Sequence, residues 1–497
     1  MRAQLLKGTA WITAARVLTN VIALLSTLVL ARTLGPADFG LVALATTMLA
    51  VLSSVTDLSL TSALVRHSDP TMDHYHTAWT LGFIRSALIA AAFCVAAYPA
   101  SKFYHEPRLE GVMLALSIGV LISGLWNPRS MMMTKQLVFW QQFMLQVSEK
   151  LVTLIVSVVI VLMTHSYWAL VWGTLCGQAV RLLISYTILP FRPRLNLKHS
   201  KELFDFSVWL TLGQIVTTLN WRFDQLLIGG VLGRTALGYY TVGDNLAATP
   251  TRESTAPITN TLFPAFSRLQ GQPKQLAAAY QSAQALVTSI ALPAGVGMAL
   301  IAEPLVRLTM GPKWLPAVFL IQALASVLAL QTLGTLSQPL AMASGETRLL
   351  FKRDLQNLVI RMPFIIVGML WDKMTGMILA RILTGSLTIV LHMQVVKKIT
   401  GLSMLRQLGA NVRSLCSVAV MAATVSLLAP HHPHLGSGLI AQTSELAILV
   451  AVGAAAYVGS HFIAWRIMGK PNGPEMEVGK ILQILLRRVR PMKPVTP

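Results

Sequence analysis

Five arginines, Arg16, Arg85, Arg222, Arg252 and Arg361, lie inside long apolar runs, as do Lys150, Arg181 and Arg381. A charge at membrane depth costs at least about 2.5–3.5 kcal/mol on insertion scales, so it faces either a partner or a cavity. Guanidinium keeps its charge when buried, and its planar fork matches phosphate oxygens in bidentate fashion. The chemistry these residues offer is the holding of an anionic phosphate group. The acids in the same runs are Asp57, Glu149, Asp224, Asp244, Glu253 and Glu445. Two readings apply to any single arginine: a cationic cavity, or ion pairing across the protein with Asp57, Asp224 or Glu253. For at least one of Arg16, Arg85, Arg252 and Arg361 the cavity is the favoured reading. Arg222 and Asp224 are two apart and do not share a helix face, and adjacent Arg252 and Glu253 diverge, so each is expected to find its partner elsewhere. Arg181 and Asp244 sit near the ends of their runs and are expected to reach water. Asp57 and Asp224 are also candidates for carrying a coupling proton.

Other chemistries are not encoded. There is no GxxxxGK[ST] phosphate loop, no HExxH, no GxSxG and no CxxC, so neither nucleotide hydrolysis nor a familiar covalent mechanism is expected. No cofactor and no metal is expected, and the protein is not read as an enzyme. Cys94, Cys176 and Cys416 stand singly in apolar runs and read as small core residues. His431, His432 and His434, interleaved with Pro430 and Pro433, read as a solvated loop rather than a metal site.

The elements that must carry these residues follow from composition. The chain of 497 residues is 54% hydrophobic and only 12% charged, about half the charge usual for a soluble domain. Runs of about 20 apolar residues follow one another almost without pause, each long enough to cross the hydrocarbon layer. About fourteen can be counted, near 9–30, 39–63, 77–98, 109–127, 143–163, 167–189, 205–230, 237–261, 278–301, 317–340, 351–371, 374–395, 408–429 and 445–466. The first is too long for a cleaved leader and carries Arg16, so it reads as a retained span. Prolines at 250, 257, 293, 339 and 363 interrupt spans and are read as static kinks.

The net charge of +21 is spread over the short gaps, which points away from nucleic acid as a partner. Of the 40 lysines and arginines, only Arg32, Lys102, Arg108, Arg234, Arg307, Lys313 and Lys373 fall in the gaps opposite the N-terminus. The positive-inside rule then places both termini in the cytoplasm. After Pro474, Ile481, Leu482, Ile484, Leu485 and Leu486 precede Arg487, Arg488, Arg490 and Lys493, the pattern of a short amphipathic helix on anionic membrane lipid.

A shift of 198 positions aligns the first span and its turn with the seventh, without a gap. Trp11 meets Trp209, Thr13 meets Thr211, Thr19 meets Thr217 and Leu28 meets Leu226, while Leu34-Gly35 falls on Leu232-Gly233 and Gly40 on Gly238. The copies are an even number of spans apart, so they cross the membrane in the same direction, an arrangement found in transporters that rock one lobe against another. The expected fold is an all-α polytopic membrane protein of about 14 transmembrane helices, in two parallel-repeat six-helix lobes plus two C-terminal helices. Its divisions are 1–202 for the N-terminal lobe, 203–400 for the C-terminal lobe, 401–470 for the two additional helices and 471–497 for the basic cytoplasmic tail.

The stretch Ala31-Arg-Thr-Leu-Gly-Pro-Ala-Asp-Phe-Gly-Leu-Val-Ala-Leu-Ala45, and then Trp221-Arg-Phe-Asp-Gln-Leu-Leu-Ile-Gly229 through Ala236-Leu-Gly-Tyr-Tyr240, resembles the polysaccharide transporters of the multidrug/oligosaccharidyl-lipid/polysaccharide (MOP) superfamily. Pro250 and the run Pro257 to Leu269 are similar to the branch that includes colanic acid and teichuronic acid exporters. The resemblance implies a flippase that moves undecaprenyl-diphosphate-linked oligosaccharide across the bacterial inner membrane by alternating access, for exopolysaccharide, capsule or O-antigen. It implies a central cavity lined by helices 1, 2, 7 and 8, which puts Arg16, Asp57, Arg222, Asp224 and Arg252 in suitable positions. It also implies a polysaccharide polymerase and a chain-length regulator as partners.

Without an ATP site, the driving force would be an ion gradient, product removal or the membrane potential, worth about 2.3 kcal/mol per charge per 100 mV. Two alternatives stand beside this reading. A cation-coupled multidrug exporter of the same superfamily would want acids and aromatics where this sequence has arginine. A membrane polymerase or ligase would want a large basic outer loop, whereas the longest outer gap, 430–444, has no Lys or Arg.

Overall fold

A computed structural model describes residues 2–56, 71–132, 139–200, 208–428 and 438–469. Asp57, the histidines at 431, 432 and 434, and the basic tail lie outside the described residues. Among the described residues the regular structure is helical, with no strand. In hydrocarbon every backbone N–H and C=O must be satisfied within its own segment, and a helix does this for an apolar run.

The helices are α1 (Arg2–Thr33), α2 (Pro36–Val55), α3 (Met72–Phe103), α4 (Arg108–Gly124), α5 (Phe139–Thr164), α6 (Trp168–Ile188), α7 (Val208–Val231) and α8 (Gly233–Ser267). They continue as α9 (Pro273–Leu300), α10 (Ala302–Thr309), α11 (Pro316–Gln331), α12 (Ser337–Ala343), α13 (Thr347–Thr400), α14 (Met404–Gly409), α15 (Val412–Leu428) and α16 (Leu439–Ile467). Over the described residues, the expected spans fall on these helices, the one at 317–340 on both α11 and α12. Two fall on the 54-residue α13, which is a hairpin rather than a rod: Asp372 and Lys373 leave the helical conformation, Lys373 with φ of 42°. A Cβ on Gly368 would overlap the Gly376 carbonyl oxygen, and one on Gly376 would overlap that of Gly368, so only glycine lets the two arms approach this closely. The prolines at 250, 257, 293 and 363 lie inside helices that continue through them. Helices α7 and α8, which carry Arg222, Asp224, Arg252 and Glu253, are long enough to span but less apolar than their neighbours.

The chain forms two compact units, one of residues up to Val242 with Thr309–Trp314, the other of Gly243–Leu308 with the chain from Leu315. In the first unit α3 pairs with α4 and α5 with α6, α1 packs on α5, and α2 lies between α4 and α7. The start of α2 is fixed by Pro36 in its first turn and by Asp38, whose Oδ2 accepts from the Gly35 N–H at 3.1 Å. Where α2 meets α8, a Cβ on Gly40 would overlap the Arg234 carbonyl oxygen and one on Gly238 that of Pro36. The fully buried Trp314 donates from its indole N–H to the Ala31 carbonyl at 2.7 Å and packs edge-on against Phe39 and Tyr239. Beside it, Lys313 donates to the Arg32 carbonyl at 2.9 Å; burial pushes its ammonium below the usual range, against the pull of the Asp38 carboxylate.

In the second unit α9 packs on α11 and α15, α11 packs on α13, and α15 pairs with α16. The span of α11 and α12 is broken by a 3-10 turn at Thr332–Gly334. Side chains add partners to the carbonyls of this turn: Gln284 donates to Thr332 at 2.7 Å, and His392 Nδ1 lies 2.8 Å from the Gly334 oxygen. Tyr457 of α16 ties that helix to α9 through the Ser289 carbonyl, at 2.7 Å.

Three expectations are corrected here. Arg181 does not simply extend to water: it pairs with Glu149 at 2.8 Å and lies 4.1 Å over the Trp126 ring. Asp244, likewise expected to reach water, is 3.6 Å from Arg381 of α13. Cys94 and Cys416 are exposed rather than in the core, and Cys176 is half-buried. An apolar helix has an outer face as apolar as its inner one, so hydrophobic surroundings in sequence do not separate core from lipid contact.

Candidate functional site

The arginines of the first unit sort by helix rotation. Arg85 on α3 and Arg222 on α7 line one half-open cavity of about 310 Å³. Its other walls include Ser53 and Ser54 near the end of α2, and Gln214, Thr217, Thr218 and Trp221 on α7. The α7 residues are spaced three and four apart, which puts them on one face of the helix. Among the described residues of this lining, Arg85 and Arg222 are the charged members.

Both guanidiniums donate to neutral oxygens of neighbouring described residues. Arg85 donates from Nη2 to the Ser53 carbonyl at 2.9 Å and from Nε to Thr56 Oγ1 at 3.4 Å. Ser53 belongs to the last turn of α2, where the helix dipole favours a cation, and its carbonyl also accepts from the Thr56 N–H at 3.3 Å. Arg222 donates to Gln225 Oε1 at 3.1 Å, and the same oxygen accepts from Thr47 of α2 at 2.5 Å. A neutral partner orients the Arg222 guanidinium without cancelling its charge, so it remains able to attract an anion.

Asp224 points elsewhere. It is fully buried, and its Oδ2 accepts from the Tyr240 hydroxyl at 2.8 Å. The separation of Arg222 and Asp224 inferred from helix geometry therefore holds. The pair Arg252 and Glu253 behaves differently: the exposed Arg252 curls back so that Nε lies 3.1 Å from Glu253 Oε1. A side chain with four rotatable bonds can reach its neighbour's carboxylate although the two Cβ directions diverge.

Of the five candidate arginines, the structure brings Arg85 and Arg222 to one cavity. Arg16 is half-buried on α1 and is not among the residues lining it. Arg252 on α8 and Arg361 on α13, the latter 9% exposed, belong to the second unit. Asp57 is outside the described residues. Among the described residues no group of three or more His, Cys, Asp or Glu is placed to hold a metal ion. Sequence reasoning passed over Gln225, Thr47 and the polar face of α7. The signal was present in the spacing of positions 214, 217, 218, 221 and 222, but neutral residues carry no insertion cost large enough to attract notice.

Residues 29–319 match a family described as polysaccharide biosynthesis protein. The lipopolysaccharide biosynthesis protein WzxC of Escherichia coli (strain K12) is 24% identical over 416 residues, covering 81% of this chain and 83% of that protein. The succinoglycan biosynthesis transport protein ExoT of Rhizobium meliloti (strain 1021) is 23% identical over 411 residues, covering 81% and 82%. Among solved structures, the lipid II flippase MurJ in an inward closed conformation superposes with a TM-score of 0.72 at 14% identity, over 92% of this chain and 98% of that one. An inward-facing multidrug resistance transporter of the MATE family and MOP superfamily gives 0.59 at 13% identity, over 78% and 96%. The protein thus shares the fold of polytopic transporters.

Proposed function

The chain belongs to the polysaccharide biosynthesis protein family, and from that premise we propose that it moves a lipid-linked oligosaccharide across the bacterial cytoplasmic membrane. The observation that carries the reading is the cavity in which Arg85 and Arg222 stand together among hydroxyl and amide groups. A polyprenyl diphosphate needs cationic groups at its loading depth, and its sugars need a polar path. Relatives named for the synthesis or transport of lipopolysaccharide and succinoglycan support a substrate of this class.

On this reading the diphosphate binds between Arg85 and Arg222, the polyprenyl tail stays in lipid, and the repeats 1–202 and 203–400 alternate between inward and outward openings. Both termini are cytoplasmic, a polymerase and a chain-length regulator receive the product, and Asp57 and Asp224 are the carboxylates proposed for ion coupling. Arg16, Arg252 and Arg361 are proposed to contribute along the route rather than at the loading cavity.

The test is reconstitution into liposomes with a polyprenyl-diphosphate oligosaccharide in one leaflet, followed by its accessibility to an enzyme on the other side. Arg85→Ala and Arg222→Ala are each expected to lower the protein-dependent rate by at least about 10-fold at unchanged membrane abundance, the loss of one charge-assisted contact. Wild-type rates in both variants would remove the cavity from the transport path.

A further inference from the structure

Beyond Arg85 the first unit contains a second cavity, of about 160 Å³, which shares Ser53 and Arg85 with the larger one. Ser86 of α3, Ser123 of α4 and Gln178 of α6 add polar groups to its wall, and Leu49, Ile89 and Val120 give it apolar faces. Among the described residues of its lining, Arg85 is the one that is charged. The Oε1 of Gln178 is buried there without a hydrogen-bond donor. It has room because residue 119 is glycine: a Cβ at that position would stand 2.8 Å from the amide oxygen. Buried side-chain oxygens without donors are few in folded proteins, and each asks for an occupant that supplies one. If the amide is turned over, its N–H donors face the same space and an oxygen of the occupant satisfies them.

We propose that this smaller cavity binds a neutral sugar ring, the one attached to the diphosphate held between Arg85 and Arg222. The proposal rests on the transport reading given above. A pyranose presents hydroxyls at its edge and C–H groups on its faces, which suits an amide and serines beside aliphatic side chains. Arg85, shared by the two cavities, stands where diphosphate and sugar join.

The experiment is equilibrium binding to the full chain in lipid nanodiscs, with farnesyl diphosphate and with farnesyl diphosphate carrying one hexose as probes. The sugar-bearing probe is expected to bind about 10-fold more tightly, equivalent to about 1.4 kcal/mol. Gln178→Leu and the size-conserving Gln178→Met are expected to abolish that increment while leaving the affinity for farnesyl diphosphate within twofold. Arg222→Ala is expected to weaken both probes together. If both probes bind the wild type equally, the cavity holds water only: the sugar site is overturned and the anion site stands. A full increment in both Gln178 variants would also overturn it, since the sugar would then be read elsewhere. If neither probe binds, the anion site fails and the sugar site falls with it.

Discussion

Glu149 of α5 and Arg181 of α6 meet at 2.8 Å, with the guanidinium over Trp126, and this contact shows how a charge is kept inside an apolar bundle. The pair is partly shielded, and removing one member leaves the other facing hydrocarbon alone. Glu149→Ala is expected to lower unfolding stability in detergent by about 1–3 kcal/mol, and more than Glu149→Leu combined with Arg181→Leu, as a thermal melt of the purified protein would report. Equal losses in the single and double variants would mean that the two residues are not coupled. The arginines themselves were legible from sequence, because a charge in an apolar run announces its cost. Their partners were not. Arg181 and Asp244 were expected to reach water, yet each has a partner on another helix, and which faces meet depends on helix rotation that no local pattern encodes. Arg252 and Glu253 failed for the opposite reason, since a helix-face argument ignores how far a flexible side chain can fold back.

Helices were far more legible than contacts, since the bilayer imposes one solution on every long apolar run. Even the division of α13 follows from sequence: the polar pair Asp372-Lys373 separates two spans and marks where the hairpin turns. The contact between α2 and α8 depends instead on single atoms. Gly40 and Gly238 stand out in sequence as matched positions of a repeat, but only the fold places each against the other's segment. Gly40→Ala is expected to cost about 1–3 kcal/mol by overpacking, because the colliding group is a backbone carbonyl that cannot rotate away. Gly35→Ala is the control: its added Cβ would meet nothing closer than the Asp38 carboxylate at 3.6 Å, an ordinary contact. Thermal unfolding of the two variants would separate them, and equal melting would show that α2 and α8 can slide apart at no cost.

For the whole molecule, the distribution of basic residues makes a directional prediction. With the three native cysteines replaced by serine, Lys198→Cys is expected to react with a membrane-impermeant maleimide only from the cytoplasmic side, and Lys102→Cys only from outside. Labelling of intact cells and of inverted vesicles reads this directly, and the reverse pattern would overturn the orientation. Class, helix number and orientation can be argued from composition because they are set by the solvent. The cavity of Arg85 and Arg222 could not be drawn in advance, because it depends on how α2, α3 and α7 are turned toward one another.

The crossing of Gly40 with Gly238 carries one more consequence. Position 36 corresponds to 234 under the same shift that relates 40 to 238, so each glycine faces the repeat counterpart of the carbonyl that faces its partner. Such a contact is isologous, the kind by which two identical subunits form a symmetric dimer. A peptide containing one copy of the turn therefore carries both halves of its own complement, and the single chain makes internally, with a tether, the association that a homodimer makes by encounter.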